Sequence, residues 1–250
     1  MKRGAVRRAP AGAERRGPRG RVRRIVTIAD ARAAVLRQRC RPVTQVDPAL
    51  SRLVADMMVT MRHADGVGLA APQVGIPLRV IIADTGRGLL ALLNPLLRGR
   101  SGSATAEEGC LSIPGVVAPV RRALRVNVEG TLLNGQRVGV RAKGFIARIL
   151  QHEIDHLNGV LFLDRVRASA VRRQPLRPGE RRRRVRSAAR RVGAADRAGP
   201  PAPSGDSARG RGPGAAGPRM RRPADPWRGS ALTVVALPKR RSTGSRSSRA

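Results

Sequence analysis

The chain has 250 residues, which is enough for one domain of ordinary size or for a smaller domain with tails. Its 51 lysines and arginines against 16 acidic residues give a net charge of +35, which is extreme for one compact domain and favours the second arrangement. No run of about 18 apolar residues occurs, so no membrane span is predicted. The two cysteines do not indicate a disulfide-stapled secreted protein, and we expect a reduced cytoplasmic setting.

The basic residues are concentrated at the two ends of the chain. Residues 1–23 carry a net charge of +8 and residues 168–250 carry +18, whereas residues 24–167 carry only +9. Both ends are rich in Arg, Gly, Ala and Pro and bury too little apolar surface to offset the entropy of ordering. We therefore predict a disordered basic extension over 1–23, a folded domain over 24–167 and a disordered low-complexity tail over 168–250. The tails either bind RNA through clustered arginines or have no selected function.

The stretch 47–66, DPALSRLVADMMVTMRHADG, predicts the first helix. Asp47 can cap it, Pro48 suits its first turn, and apolar residues recur at helical spacing to form one stripe. His63 lies near the last turn, where an ordinary polar contact is expected.

The next elements predict strands and a final helix. Residues 78–84 and 89–95 are short apolar runs typical of paired strands, and residues 124–144 predict a hairpin in which Asn134 and Gly135 suit a type I′ turn. In residues 145–162, FIARILQHEIDHLNGVLF, we predict a helix that starts near Phe145 and ends at Asn158 and Gly159. This order indicates an α+β fold, with small antiparallel sheets packed around a C-terminal helix.

That helix contains two of the three histidines of the chain. His152 and His156 are four residues apart and therefore share one helix face, where they could bind one metal ion, with Glu153 beside them to move protons. Phe145 and Ile149 continue the same stripe, which places the histidines on the inward face. Buried imidazoles need partners, and a metal would satisfy both. The alternative is a helix whose two polar residues are covered by sheet or water.

A catalytic site with two histidine ligands needs one more protein ligand and an open position. Cys110, in ATAEEGCLSIPG, follows a strand and its thiolate could reach the helix, although it could equally be a small buried hydrophobe. A zincin-type metalloprotease would instead need a third His or Glu after the helix, and none follows at a suitable spacing. In GVGLAAPQVG, Gly66 and Gly68 would allow a close backbone approach, and the Gln73 amide could donate to an oxyanion.

Together, GVGLAAPQ (66–73), EGCLS (108–112) and QHEIDHLNG (151–159) resemble the three signature motifs of the peptide deformylases, over about residues 24–167. The resemblance implies a hydrolase that removes the formyl group from the N-formylmethionine of nascent polypeptides. It implies one divalent metal ion, natively Fe²⁺ with Zn²⁺, Ni²⁺ or Co²⁺ as substitutes, and the ligands Cys110, His152 and His156.

The resemblance also implies roles for the other site residues. Glu153 would take a proton from the metal-activated water and deliver it to the departing amine. The Gln73 amide and the Leu111 backbone N–H would hold the developing negative charge on oxygen. The peptide would be contacted by four residues: Gly66, Gly68, Phe145 and Ile149.

Three further expectations accompany these roles. Val117 stands where some bacterial members have an arginine that contacts the substrate. Arg148, on an otherwise apolar face, is expected to point outward or to snorkel. The protein is expected to be a monomer that meets nascent peptides at the ribosome, where its basic tails could contact rRNA. The competing hypothesis is that the chain is not an enzyme but an RNA- or ribosome-binding protein that acts through these tails.

Overall fold

The computed structural model describes residues 20–174 and 229–238. Within this part of the chain there are two α-helices, α1 (Pro48–His63) and α2 (Phe145–Leu157). The strands are β1 (Gly68–Ala70), β2 (Val80–Asp84), β3 (Leu89–Ser101), β4 (Ala104–Cys110), β5 (Ile113–Arg122), β6 (Arg125–Thr131), β7 (Arg137–Lys143), β8 (Arg172–Arg173) and β9 (Ala231–Ala236). Short 3₁₀ turns cover Ala33–Arg37, Ala71–Val74, Phe162–Arg165 and Ala168–Ala170. No helix in the described ranges is long and apolar enough to cross a membrane.

The strands form two antiparallel sheets. Six strands follow the order β1-β2-β3-β6-β7-β9, and three follow the order β4-β5-β8. Helix α2 packs on the six-stranded sheet, and its apolar side chains join those of β2, β3, β6 and β7 in one core. The predicted mixture of antiparallel sheets with few helices is confirmed.

Helix α1 forms as its sequence predicts. The Leu50 N–H donates to the Asp47 carboxylate at 2.7 Å, and Pro48 occupies the first turn. Leu53, Met57 and other apolar residues of the stripe are buried against β1 and β2. This packing fixes the segment that follows α1, which carries the first signature motif.

The β6–β7 hairpin is present, but the predicted type I′ turn is wrong. A type I′ turn needs positive φ at both central residues, whereas Gly135 has a φ of +81° and Asn134 does not have a positive φ. The Gly135 N–H donates to the Leu132 carbonyl at 2.9 Å, and Leu132 N–H donates to the Gln136 carbonyl. A longer loop with one left-handed glycine therefore replaces the two-residue turn.

Two predicted disordered segments are ordered in part. Residues 20–23 run along α1, where the Arg21 N–H donates to Asp56 at 2.7 Å and the Arg23 N–H donates to Thr60 at 2.8 Å. In the tail predicted from residue 168 onward, residues 168–174 include a 3₁₀ turn and β8, which pairs with β5. Residues 231–236 of the same tail form β9 on the edge of the six-stranded sheet. The other residues of the predicted tails, 1–19, 175–228 and 239–250, lie outside the described ranges.

Candidate metal centre and active site

The three predicted metal ligands converge where the end of β4 meets α2. His152 and His156 are one helical turn apart, with ring centroids separated by 5.0 Å. The Cys110 Sγ lies 3.2 Å from the His156 Nε2. One ligand atom from each of Cys110, His152 and His156 falls within 4.8 Å of the others. Two imidazoles and a thiol form a donor set that suits Zn²⁺ or Fe²⁺.

A buried glutamate that the sequence analysis did not single out orients one of the ligands. Glu108 Oε2 lies 2.9 Å from His152 Nδ1, so Nδ1–H donates to the carboxylate and Nε2 keeps its lone pair for a metal. The sequence did hold a signal for this residue. Side chains alternate between the two faces of a strand, so residues 108 and 110 of β4 lie on the same face. Arg122 donates to both Glu108 oxygens at 2.9 Å. Burial alone would raise the pKa of Glu108, but the bonds from Arg122 and His152 hold it well below its usual range.

Arg148 belongs to the same network, and the expectation that it points outward or snorkels to the surface is wrong. Its side chain is buried and its guanidinium donates to Glu108 Oε1 at 2.6 Å, to the Val120 carbonyl at 2.8 Å and to the Ala104 carbonyl at 2.7 Å. This side of α2 meets strand carbonyls and a carboxylate, which satisfy a buried cation. These hydrogen bonds of Arg148 join α2 to β4 and β5.

Glu153 is buried directly beside the metal ligands. Its Oε2 has no hydrogen-bond partner among the described residues, and burial raises its pKa to about 7. A Cβ on Gly68 would lie 2.2 Å from Glu153 Oε1, so this position of the carboxylate requires glycine. A buried carboxylate oxygen without a partner, next to a Cys/His/His donor set, fits a site built around a metal ion and the water that it would bind.

The two histidines are electrostatically different. Burial lowers the pKa of His156 well below its ordinary value, which keeps the imidazole neutral, the form that binds a metal. Burial opposes protonation of His152 too, but its hydrogen bonds with Cys110 and Glu108 raise its pKa.

Gln73 directs its amide nitrogen toward the centre. Its Oε1 accepts from the Ala70 N–H at 2.8 Å, which turns Nε2 to within 3.5 Å of Cys110 Sγ and 3.3 Å of Ser112 Oγ. Leu111 directly follows Cys110, and its side chain covers Gly66, where a Cβ would lie only 2.8 Å from Leu111 Cδ1. The Gln73 amide and Leu111 therefore both lie beside Cys110 and line the same cavity, and their role toward an oxyanion stays a prediction.

A cavity of about 380 Å³ opens over the centre. Nine of the ten predicted site residues line it, and the tenth, His156, is 1% exposed behind the other ligands. The nine are Gly66, Gly68, Gln73, Cys110, Leu111, Phe145, Ile149, His152 and Glu153. Val117, Arg148 and Gln174 also contribute to the wall. His63, the remaining histidine, is not part of it.

Known proteins resemble the region around this site in both sequence and fold. A sequence model described as polypeptide deformylase matches residues 22–172. A peptide deformylase of Halothermothrix orenii is 50% identical over 134 residues, which cover 53% of this chain and 87% of the relative. The crystal structure of the Thermotoga maritima peptide deformylase is 43% identical, with a TM-score of 0.56 over 58% of this chain and 98% of that one.

A Met-Ala-Ser-bound class I type b peptide deformylase of Acinetobacter baumannii is 36% identical, with a TM-score of 0.54 over 58% of this chain and 98% of that one. The matched region contains all three signature motifs and the whole cavity wall, Gln174 excepted. The match extends over more than half of the chain and over most of each relative. The chain therefore belongs to the polypeptide deformylase family.

Proposed function

We propose that this chain performs the reaction of its family, the metal-dependent removal of the formyl group from N-formylmethionyl nascent peptides, with Cys110, His152 and His156 as metal ligands. The observation that carries this assignment is the convergence of these three donors beside the buried, unpartnered oxygen of Glu153. We assign Fe²⁺ as the native ion, with Zn²⁺, Ni²⁺ or Co²⁺ as substitutes. When bound, such an ion supplies a nucleophile at neutral pH and a positive charge beside the formyl oxygen.

Glu153 is the group that moves the proton. A carboxylate with a pKa of about 7 can take a proton from water and return it to a departing amine at neutral pH. The contact with Gly68 limits where its carboxylate can lie. The Gln73 Nε2, held by the Ala70 N–H bond, and the Leu111 backbone N–H are the proposed donors to the oxygen that becomes negative.

The substrate enters the cavity as an extended peptide. Phe145 and Ile149, one turn apart on α2, line the slot proposed for the methionine side chain. Gly66 and Gly68 line the same cavity, and Gly68 approaches Ile149 closely. The Acinetobacter baumannii relative binds Met-Ala-Ser, the product expected from a formylated Met-Ala-Ser peptide, which supports the same substrate class here.

The partners follow from this substrate. Nascent chains that begin with formylmethionine emerge from the bacterial ribosome, so we expect the enzyme to meet its substrate there, in the proposed cytoplasmic location. Contact with rRNA through the basic tails and a monomeric state also remain proposals. Residues 24–167 supply only +9 of the net charge, so an RNA-binding role would reside mainly in the basic ends of the chain.

The zincin-type protease has no support in the structure. Within the described ranges, the group of side chains that could hold a metal ion is completed by Cys110 from β4, not by a His or Glu after α2.

The test is formate release from formyl-Met-Ala-Ser by the full chain, purified anaerobically to protect Fe²⁺. We expect turnover in the wild type and in His63→Ala, which removes an exposed histidine outside the cavity, and none in His156→Ala. Equal activity in both variants, or absence of formate with the metal bound, would contradict the proposal.

A further inference from the structure

We infer that the segment Gly229–Pro238, which lies outside the deformylase match, is a working part of this active site, and that Ser230 is a positioning residue for Phe145. This inference rests on the proposed function, because it assigns Phe145 to the slot for the first side chain of the substrate. Strand β9 provides the attachment, and the Ser230 hydroxyl provides the contact with α2.

The segment is attached along its whole length. Strand β9 pairs with β7 in unbroken antiparallel register from Lys143 opposite Ala231 to Val138 opposite Ala236. The Leu237 N–H continues the ladder by donating to the Arg137 carbonyl at 2.9 Å. Leu232 packs against the same apolar core as α2. An edge strand with a complete ladder and a core contact holds its preceding residues in a fixed place.

Those preceding residues meet the first turn of α2. The helix begins after Gly144, which has a φ of +69° and no side chain with which to cap the helix. The Phe145 N–H donates to the Ser230 Oγ at 3.0 Å. Serine is among the residues that best cap helix N-termini, and here the cap comes from 85 residues further along the chain.

The close approach of Ser230 also constrains Gly144. A Cβ at Gly144 would lie 3.0 Å from Ser230 Oγ and 3.3 Å from Ser230 Cα, so both the positive φ and the docked segment favour glycine there. The turn between β7 and α2 is thus packed against residues 229–230. Its geometry sets where the first residue of α2 stands.

Phe145 is that first residue, and its ring reaches the cavity. Phe145 lines the cavity with Ile149 and His152, each one turn further along the same helix face. A cap that fixes the Phe145 backbone therefore fixes the outer wall of the slot without touching the metal ligands. Loss of the cap should loosen the first turn and weaken discrimination between substrate side chains, while the chemistry at Glu153 continues.

The experiment compares three variants of the full chain. Ser230→Ala removes the cap, Leu232→Asp removes the apolar contact of β9, and Thr233→Val removes a hydroxyl of the same strand that is exposed and is the matched control. Hydrogen–deuterium exchange reads the amide of Phe145. Formate release from formyl-Met-Ala-Ser and from formyl-Ala-Ala-Ser gives KM, kcat and selectivity.

In Ser230→Ala and Leu232→Asp we expect Phe145 exchange to accelerate about fivefold, the size typical of a lost N-cap. We expect KM for the formyl-Met peptide to rise about threefold with little change in kcat, and the preference for Met over Ala to narrow. Thr233→Val should match the wild type in every measurement.

Unchanged exchange in Ser230→Ala would overturn the cap. Faster exchange of the Phe145 amide in Ser230→Ala, with unchanged KM and unchanged substrate selectivity, would show a purely structural role for Ser230 and would overturn the positioning claim. Changes of the same size in the Thr233→Val control would overturn it as well. A wild type that binds metal but releases no formate would overturn the proposed function and the substrate part of this inference. The exchange measurement separates that case, because it detects the cap independently of turnover.

Discussion

Replacement of Gly68 by alanine tests whether the position of the Glu153 carboxylate limits the reaction. The added Cβ would lie 2.2 Å from Glu153 Oε1 and 2.9 Å from Ile149 Cγ2. The first distance is about 1.3 Å shorter than the roughly 3.5 Å at which such atoms normally rest. Gly68 is paired with Ala83 in the sheet, so the strand cannot retreat and the carboxylate must move.

A displacement of that size is costly for a group that moves protons. A misplacement of about 1 Å typically lowers a rate by about 100-fold, equivalent to about 2.7 kcal/mol in the barrier. The three atoms nearest to the added Cβ belong to Glu153 and Ile149, and none belongs to a metal ligand. We therefore expect Gly68→Ala to lose about 100-fold in kcat/KM for formyl-Met-Ala-Ser while it keeps one metal ion per chain.

The assay measures formate release and metal content on the same protein sample. Gly139→Ala is the matched control, because Gly139 lies on β7 in the same sheet and its Cβ would meet Leu237 at an ordinary 3.5 Å. Wild-type activity in Gly68→Ala would refute the close-approach argument. A loss of activity that merely follows a loss of metal would refute it as well.

Three substitutions test buried polar groups, two of them beside the metal centre and one, Cys40, in the apolar core. Glu108→Gln removes the charge that orients His152, and metal affinity should fall about 10- to 100-fold in a metal titration; an unchanged affinity would contradict the orienting role. Arg148→Met leaves Glu108 and two strand carbonyls with fewer hydrogen-bond partners. The free energy of unfolding in urea should therefore fall by about 3 kcal/mol. A change below about 1 kcal/mol would show that the hydrogen bonds of Arg148 contribute little to stability.

The third concerns Cys40, where burial raises the pKa of the thiol from 9.0 to about 11. The protonated thiol stabilises the fold fully below pH 9.0, and this contribution is lost as the pH rises toward about 11. The stability advantage of the wild type over Cys40→Ala should therefore shrink across that window in urea unfolding, and a constant difference would contradict this.

The sequence predicted what depends on local spacing. His152 and His156 share a face because any helix places residues four apart on one side, and Asp47 caps α1 because its side chain reaches the first turn. The glycine at 68 was predicted to allow a close approach. The approaching group is Glu153, which local spacing could not identify because it comes from a helix 85 positions away.

The sequence analysis missed contacts between helices and strands that are far apart along the chain. Arg148 was expected to point outward because its helix neighbours are apolar, but its acceptors are carbonyls of β4 and β5, which only the folded chain brings to α2. The run ALTVVALP, residues 231–238, lies in the tail that was predicted to be disordered. It is ordered because β7 offers an open edge, and strand pairing depends on the partner as much as on the segment itself.

The central claim is that Cys110, His152 and His156 hold the metal while Glu153 performs the proton transfer. The most direct test measures metal content and formate release together in Glu153→Gln and Cys110→Ala. We predict that Glu153→Gln keeps one metal ion per chain and releases no formate, whereas Cys110→Ala loses both. Full formate release by Glu153→Gln, or full metal binding and activity in Cys110→Ala, would contradict the account.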